Sequence, residues 1–551
     1  MSSKPSSLLR VPVEMPNRSG HNLSHSNAFT GKTGTLIPVL CEELLPNDTV
    51  SLGSQLQVQL PPMVTDFYGR VDFVLEAFFV PNRLIWGGWQ DFITHPSANP
   101  VYPEGTPVQK KPSSVPFFYL PPGSNGAVAG QAIEVDSLLH YLDYGKNLLS
   151  TQNGEVSVLK AVAYHRIWDD WYRDSRVQAP LFYNAGSLSG STYQQNLVSM
   201  PFASTVANGG TLSFGVNTNF GDGVLVQSLR QRNWVKDYFT AASPLPQAGS
   251  ASEVKFDVSA ASETGAFSIA TLRAANSLQK WMERNNIAGY RYSDQIYAQY
   301  GIYPSDAIMD KCLYLGRNVQ TVYNRSVFDT NGQGDSLGRK AANSQVLGEG
   351  SLVDSFTATE HGFLMVLASL VPRPVYGSGA ERSSYRVKPG DFAFPLLAGM
   401  GDQAILSREL TGVSNDTDVF GYTDLFAEYK FRNDKTHGLI RDGNSLDSYA
   451  IQRSLEVGSQ ISSAFLQIPK DYLDQVQAVA TSVQGYTYWA EVYFPFKKLS
   501  TIPAYSQPTL ADLDNAHTEY ISRGGRDFKK FSGVLSLKHL SEMHSSIDNF
   551  F

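Results

Sequence analysis

Between Arg523 and His539 the chain sets Arg523, Arg526, Lys529, Lys530 and Lys538 against the single acid Asp527, with Phe528 and Phe531 interleaved. Cations that neutralise phosphates, beside rings on which bases stack, are what sequence-tolerant binding of a single strand requires. A solvated tail that helps solubility fits the same residues. Residues 1–33 carry Lys4, Arg10, Arg18 and Lys32 against Glu14, with His21 and His25 nearby. This net positive, Pro- and Ser-rich stretch reads as an extended arm that orders only against a partner, or as a frayed terminus.

Other constellations fail on their chemistry. Gly186-Ser187-Leu188-Ser189-Gly190 is shaped like a nucleophile elbow, but Leu188 stands where the nucleophile belongs. No HExxH, P-loop or paired CxxC occurs. Asp169-Asp170 falls on an expected helix, where neighbours diverge by about 100° and cannot share a substrate. A solvated helix face is the role expected for that pair. Asp329-Thr330-Asn331-Gly332-Gln333-Gly334-Asp335 alternates oxygen ligands in the manner of a calcium loop. Lys340 holds the place of the closing acid, so a turn-rich surface loop is favoured, and no metal or cofactor is expected.

The elements that must position these residues are mainly strands. Val71, Phe73, Leu75, Ala77 and Phe79 alternate with Asp72 and Glu76, the period of a half-buried strand. Pro81 closes it, and Asn82 is expected to cap a short helix carrying Leu84, Trp86, Trp89 and Phe92. Upstream, Val50, Leu52, Leu56, Val58 and Leu60 alternate with Ser51, Gln55, Gln57 and Gln59. Thr35 to Leu45 gives an earlier strand ended by Pro46-Asn47-Asp48, and Tyr486 to Pro495 a late aromatic one. Gly362 to Val371 is almost continuously apolar, as a strand covered on both faces would be. Helices are expected over Glu155 to Arg176 and from Ser268 to about Asn285, the second with Ile269, Leu272, Ala275, Leu278 and Met282 in one stripe. Strands early and late, with helices confined to excursions, suit a Greek-key sandwich.

Composition sets outer bounds. The 551 residues hold no linker, repeat or low-complexity spacer, and 45 Gly with 29 Pro suit one large β domain with long loops. Aromatic residues reach 12 %, which favours strands and large interfaces. A net charge of −7 argues against coating nucleic acid with the whole surface, though not against a local basic face. Two cysteines, Cys41 and Cys312, supply no disulfide framework, which suits a reducing cytoplasm. The N-terminus lacks a signal-peptide core, and no 18-residue apolar run occurs.

Several blocks resemble the major capsid proteins of the Microviridae, small single-stranded-DNA bacteriophages, in particular the gokushovirus type. They are NRSGHNLSHSNAFTGKTGTLIPVLCEELLPNDT, FVPNRLIWGGWQDFI, LRAANSLQKWMERNNIAGYRYSDQIYAQYGI, HGFLMVLASLVPR, GDQAILSREL and FGYTDLFAEYKFRNDKTHGLIR, in order along the chain. The resemblance implies a viral jelly roll, an eight-stranded antiparallel β-sandwich with long loop and helical insertions. It implies an arm at 1–33, one domain over 34–500 with inserted loops near 94–155, 184–267 and 329–351, and a C-terminal tail at 501–551. It implies identical copies forming an icosahedral shell, with Lys4, Arg10, Arg18, Lys32, Arg523, Arg526, Lys529 and Lys530 facing a single-stranded DNA genome. Minor virion proteins, such as a DNA pilot or DNA-binding protein, and a host receptor would be further partners, and no catalysis is implied. In gokushovirus relatives a long insertion follows a segment similar to Asp237-Tyr238-Phe239-Thr240 through Pro246-Gln247 and builds threefold protrusions. Only about Ala248 to Phe267 occupies that place here, which argues against a large protrusion.

The rival from another class is a β-sandwich carbohydrate-binding protein or glycosidase whose aromatics stack on sugars. It requires a cleft with two carboxylates at defined separation and a monomer or small oligomer.

Overall fold

The computed structural model describes residues 18–64, 67–86, 89–94, 115, 117–118, 136–144, 156–157, 159–178, 229–246, 273, 277, 280, 301, 311–328, 340–395, 401–453 and 459–502. Two compact units result, Asn22–Lys498 and a smaller one of Met1–His21 with Leu499–Phe551. In the smaller unit Arg18 donates to the Leu499 carbonyl at 3.4 Å, and a ring nitrogen of His21 lies 3.1 Å from the Ile502 carbonyl.

Twelve strands carry the larger architecture: β1 His25–Gly31, β2 Ile37–Leu44, β3 Thr49–Gln59, β4 Val71–Pro81, β5 Leu313–Thr321, β6 Tyr323–Phe328, β7 Lys340–Thr357, β8 Gly362–Pro372, β9 Asp402–Leu406, β10 Val419–Asp424, β11 Tyr488–Phe494 and β12 Phe496–Ser500. One sheet runs β2-β8-β4-β5, antiparallel throughout. In the other, β7 lies between β3 and β6, and β11 joins the far side of β3 to β1. Early and late strands therefore meet inside each sheet, the jelly-roll arrangement of a mainly β chain.

The alternating residues of β4 and β3 explain the sandwich. Val71, Phe73, Leu75, Ala77 and Phe79 share one core with Val50, Leu52, Leu56 and Val58, and with Tyr488, Val492 and Phe494 of β11. Each large side chain buried there contributes roughly 1.5–3 kcal/mol. At one end of the sandwich the sheets close on each other. A Cβ on Gly316 of β5 would lie 2.1 Å from the Leu352 carbonyl oxygen of β7, so only glycine allows the strands this close. Asn318 donates to the Ser54 hydroxyl at 3.0 Å beside it. On β2 at the sheet edge, the Asn27 amide and the Lys498 ammonium donate to the Val39 and Glu43 carbonyls, at 2.8 and 2.9 Å. Capped carbonyls make a poor template for a stray strand.

The second face of the four-stranded sheet is also covered. Phe78 and Val80 of β4 and Phe363, Met365 and Leu367 of β8 pack against Val162, Ala163 and Ile167 of the Leu159–Ile167 helix. The run of β8 is thus buried on both sides, as its composition predicts. β4 departs from expectation: all eleven residues are buried, Asp72 and Glu76 included. Their alternation is right, but Glu76 looks into inserted chain, and Asp72 is covered by Arg70, Thr321 and Arg373.

Five other expectations need correction. The helix predicted over Glu155–Arg176 is α-helical over Leu159–Ile167 and continues as a π-helical turn, Trp168–Tyr172. Asp169 and Asp170 are buried, not solvated, because Arg173 pairs with the first at 2.7 Å and Arg166 with the second at 3.1 Å. Pro81, not Asn82, takes the N-cap position of the Asn82–Ile85 helix, and the buried side-chain amide of Asn82 has no hydrogen-bond partner. Residues 340–351, expected in a loop, belong to β7, where Gln345 stands opposite both Gln59 and Tyr323. The 1–33 arm likewise ends in order: β1 pairs with β11 of the same chain, Phe29 opposite Ala490. Of the helix expected from Ser268, Arg273, Ser277 and Lys280 are described, all helical and exposed, on the polar side of its stripe.

Candidate assembly and nucleic-acid surfaces

Of the cations selected from sequence, Arg18 and Lys32 are described. Arg18 reaches the Leu499 carbonyl, and Lys32 pairs with Asp136 at 2.7 Å while both side chains stay partly exposed. A surface pair of this kind contributes at most about 1 kcal/mol, so Lys32 is held only loosely from another anion. Lys470 lies near enough that burial, and after it the Lys32 charge, pushes its ammonium below the ordinary lysine range. Lys4, Arg10, Arg523, Arg526, Lys529 and Lys530 lie outside the described residues, as do the Asp329–Asp335 loop, Gly186–Gly190 and residues 248–267. Among the described residues no group of three His, Cys, Asp or Glu side chains is placed to hold a metal. No described helix is long and apolar enough to cross a membrane.

Sequence reasoning missed a second set of charged and aromatic side chains, beside the hairpin of β9 and β10. Its own core is formed by Phe239, Ile405, Leu410, Phe420 and Phe465. Above that core lies a hollow of about 200 Å³, lined among others by Tyr238, Phe239, Tyr376, Arg382, Arg386, Glu409, Glu428, Tyr429 and Phe431. Two ion pairs are closed within the wall, while Arg432 and Lys435 share Glu381 at its rim. Arg382 bonds Glu409 at 3.0 Å, and Arg386 bonds Glu428 at 2.5 Å and the Tyr429 hydroxyl at 2.6 Å. Burial pushes the Glu409 carboxyl up, and the Arg382 charge offsets part of that. The Arg386 guanidinium also stands 4.7 Å from the Tyr429 ring centre and 6.0 Å from that of Phe392.

No linear motif could have revealed this wall, since its residues come from four distant stretches. One partial signal was present: FGYTDLFAEYKFRNDKTHGLIR holds Glu428, Tyr429, Phe431 and Arg432 in a short run. A third surface is the outer face of the larger sheet. Gln55, Gln57, Leu347, Trp489, Glu491 and Tyr493 are exposed there, the polar side of the alternation that fills the core. The aromatic faces and neutral amides suit contact with another macromolecule better than catalysis.

The two antiparallel sheets define a mainly β jelly-roll protein with aromatic side chains exposed on its surface. The chain is a member of the capsid protein (F protein) family, whose model matches residues 10–261 and 254–510. It is 23 % identical to capsid protein VP1 of Chlamydia phage 1, over 91 % of this chain and 97 % of that protein. To capsid protein VP1 of Bdellovibrio phage phiMH2K it is 24 % identical, over 84 % and 90 %. Capsid protein VP1 of Spiroplasma virus 4 is 27 % identical over 44 % of this chain and 45 % of its own length. Membership places the chain in the virion.

Proposed function

We propose that identical copies of this chain build the icosahedral shell of a small bacteriophage and enclose its single-stranded DNA genome. The observation that carries this reading is the two-sheet core with both faces of β4 and β8 buried, in a chain aligned with phage coat proteins over nearly its whole length. Such a core resists deformation, so its surface loops can be held in fixed register for repeated contacts. The arm to residue 33 and the tail from residue 501 supply cations toward the genome, with Lys4, Arg10, Arg18, Lys32, Arg523, Arg526, Lys529 and Lys530 as phosphate partners. Binding would be tolerant of sequence, and minor virion proteins and a host receptor would meet other surfaces. No residue performs catalysis in this reading, and assembly takes place in the bacterial cytoplasm.

Expression of the full chain followed by sedimentation and electron microscopy tests the proposal. Closed particles of uniform diameter are expected. A species near 60 kDa that never assembles and that cleaves or binds a glycan would reinstate the carbohydrate-active rival.

A further inference from the structure

The turn Val387–Phe394 combines features that conflict in a subunit left alone in water. Val387 is 84 % exposed, and Phe392 and Phe394 are each 49 % exposed. The turn is nevertheless rigidly built. The Asp391 carboxylate accepts from the Val387 and Lys388 backbone amides at 2.9 and 2.8 Å, which holds that carboxyl below its ordinary range. Arg386, at its base, is fixed by Glu428 and Tyr429 as described. Apolar tips on a preorganised turn lose little entropy when they dock.

Tyr429 and Phe431, 60 % and 38 % exposed, continue the apolar surface directly into the hollow. The hollow's volume far exceeds the roughly 30 Å³ that one water occupies, and it admits a side chain. Aromatic and arginine residues enriched at one spot, with Arg382 and Arg386 already paired to carboxylates, mark a protein contact rather than an ion site.

We infer that this surface is a contact between copies of the chain, in which the apolar tip of Val387–Phe394 on one copy enters the hollow walled by Tyr376, Tyr429 and Phe431 on the next. The occupant follows from membership of a coat-protein family, in which the chain's most abundant neighbour is itself, and from the presence of both tip and receptor on one molecule. The inference rests on the shell reading above. Because Arg382 and Arg386 are already held by Glu409 and Glu428, the tip meets the apolar and aromatic part of the wall without breaking either pair.

The test compares the full chain with V387D/F392S at the tip and A380W in the hollow, Ala380 lining the latter. Circular dichroism and thermal unfolding check that each variant folds, and F392Y serves as the conservative partner. Wild type and F392Y are expected to sediment as particles. The tip and hollow variants should remain folded subunits, with the particle fraction reduced at least tenfold. Wild-type particle yield from folded V387D/F392S or from A380W overturns the contact while leaving the shell reading standing. Failure of the wild-type chain to form particles overturns both.

Discussion

Arg232 donates to the Glu76 carboxylate at 2.6 Å, and the Tyr172 hydroxyl donates to the same oxygen at 2.5 Å. Three separate stretches meet there: strand β4, the π-helical turn and the 229–246 segment. Arg232 also reaches the Ser369 hydroxyl of β8 at 3.1 Å. Inserted chain is thus fastened to the centre of the four-stranded sheet by charge as well as by packing.

Removing one partner leaves the other buried and uncompensated. Glu76→Ala is expected to cost about 3–5 kcal/mol, and Glu76→Ala with Arg232→Met distinctly less than the sum of the two single substitutions. Urea unfolding of unassembled subunits measures this, and strict additivity would show that the two groups are not coupled.

The phase of β4 was legible because alternation is local, and Phe73 and Phe79 lie in the sandwich core where their spacing puts them. The fate of its polar face was not. Glu76 looked solvent-facing because its partner lies 156 residues further on. Asp169 and Asp170 looked solvated for a different reason. Their partners Arg173 and Arg166 stand at i+4 and i−4, a spacing visible in the sequence but equally common on exposed helices. The hollow was illegible because it joins Tyr238, Tyr376, Glu409 and Glu428, which no periodic pattern connects.

Buried tyrosines make the fold sensitive to alkali. Burial pushes the hydroxyls of Tyr144, Tyr164, Tyr238, Tyr472 and Tyr488 well above the ordinary value near 10, and the Glu76 charge adds to burial at Tyr172. The folded state therefore binds these protons more tightly than the unfolded chain. Their stabilising contribution is complete below about pH 10 and is lost as pH rises above it. Absorbance near 295 nm should show the exposed tyrosines ionising smoothly, then a cooperative rise from the buried set coincident with loss of circular dichroism. A single smooth titration without unfolding would contradict the packing described.

Neither cysteine forms a disulfide; Cys41 is half-buried and Cys312 fully buried. Burial pushes the Cys41 thiol up to about 12, and Cys312 is buried beneath the π-helical turn, with its backbone amide donating to Asp170 at 2.9 Å. Since the thiolate is the reactive form, native protein at pH 8 should resist alkylation, and denatured protein should take up two labels. Mass spectrometry after a short iodoacetamide pulse distinguishes these outcomes, and rapid native labelling of Cys41 would show that the β2 edge opens.

The proposed genome contacts separate by their local partners. Each cation that neutralises a phosphate of a single strand contributes about 0.7 to the slope of log affinity against log salt. Replacing Arg523, Arg526, Lys529 and Lys530 together by glutamine should flatten that slope by about 3 if all four engage phosphate. Lys32→Gln should flatten it less than one full contact, because Asp136 already competes for the ammonium. Asp136→Asn should do the reverse, freeing Lys32 and steepening the slope. Fluorescence anisotropy with a labelled oligothymidine between 50 and 300 mM salt measures all three. An unchanged slope in the fourfold variant would return the tail to the role of a solvated, charged extension, and an unchanged slope in Asp136→Asn would remove Lys32 from the genome-facing set.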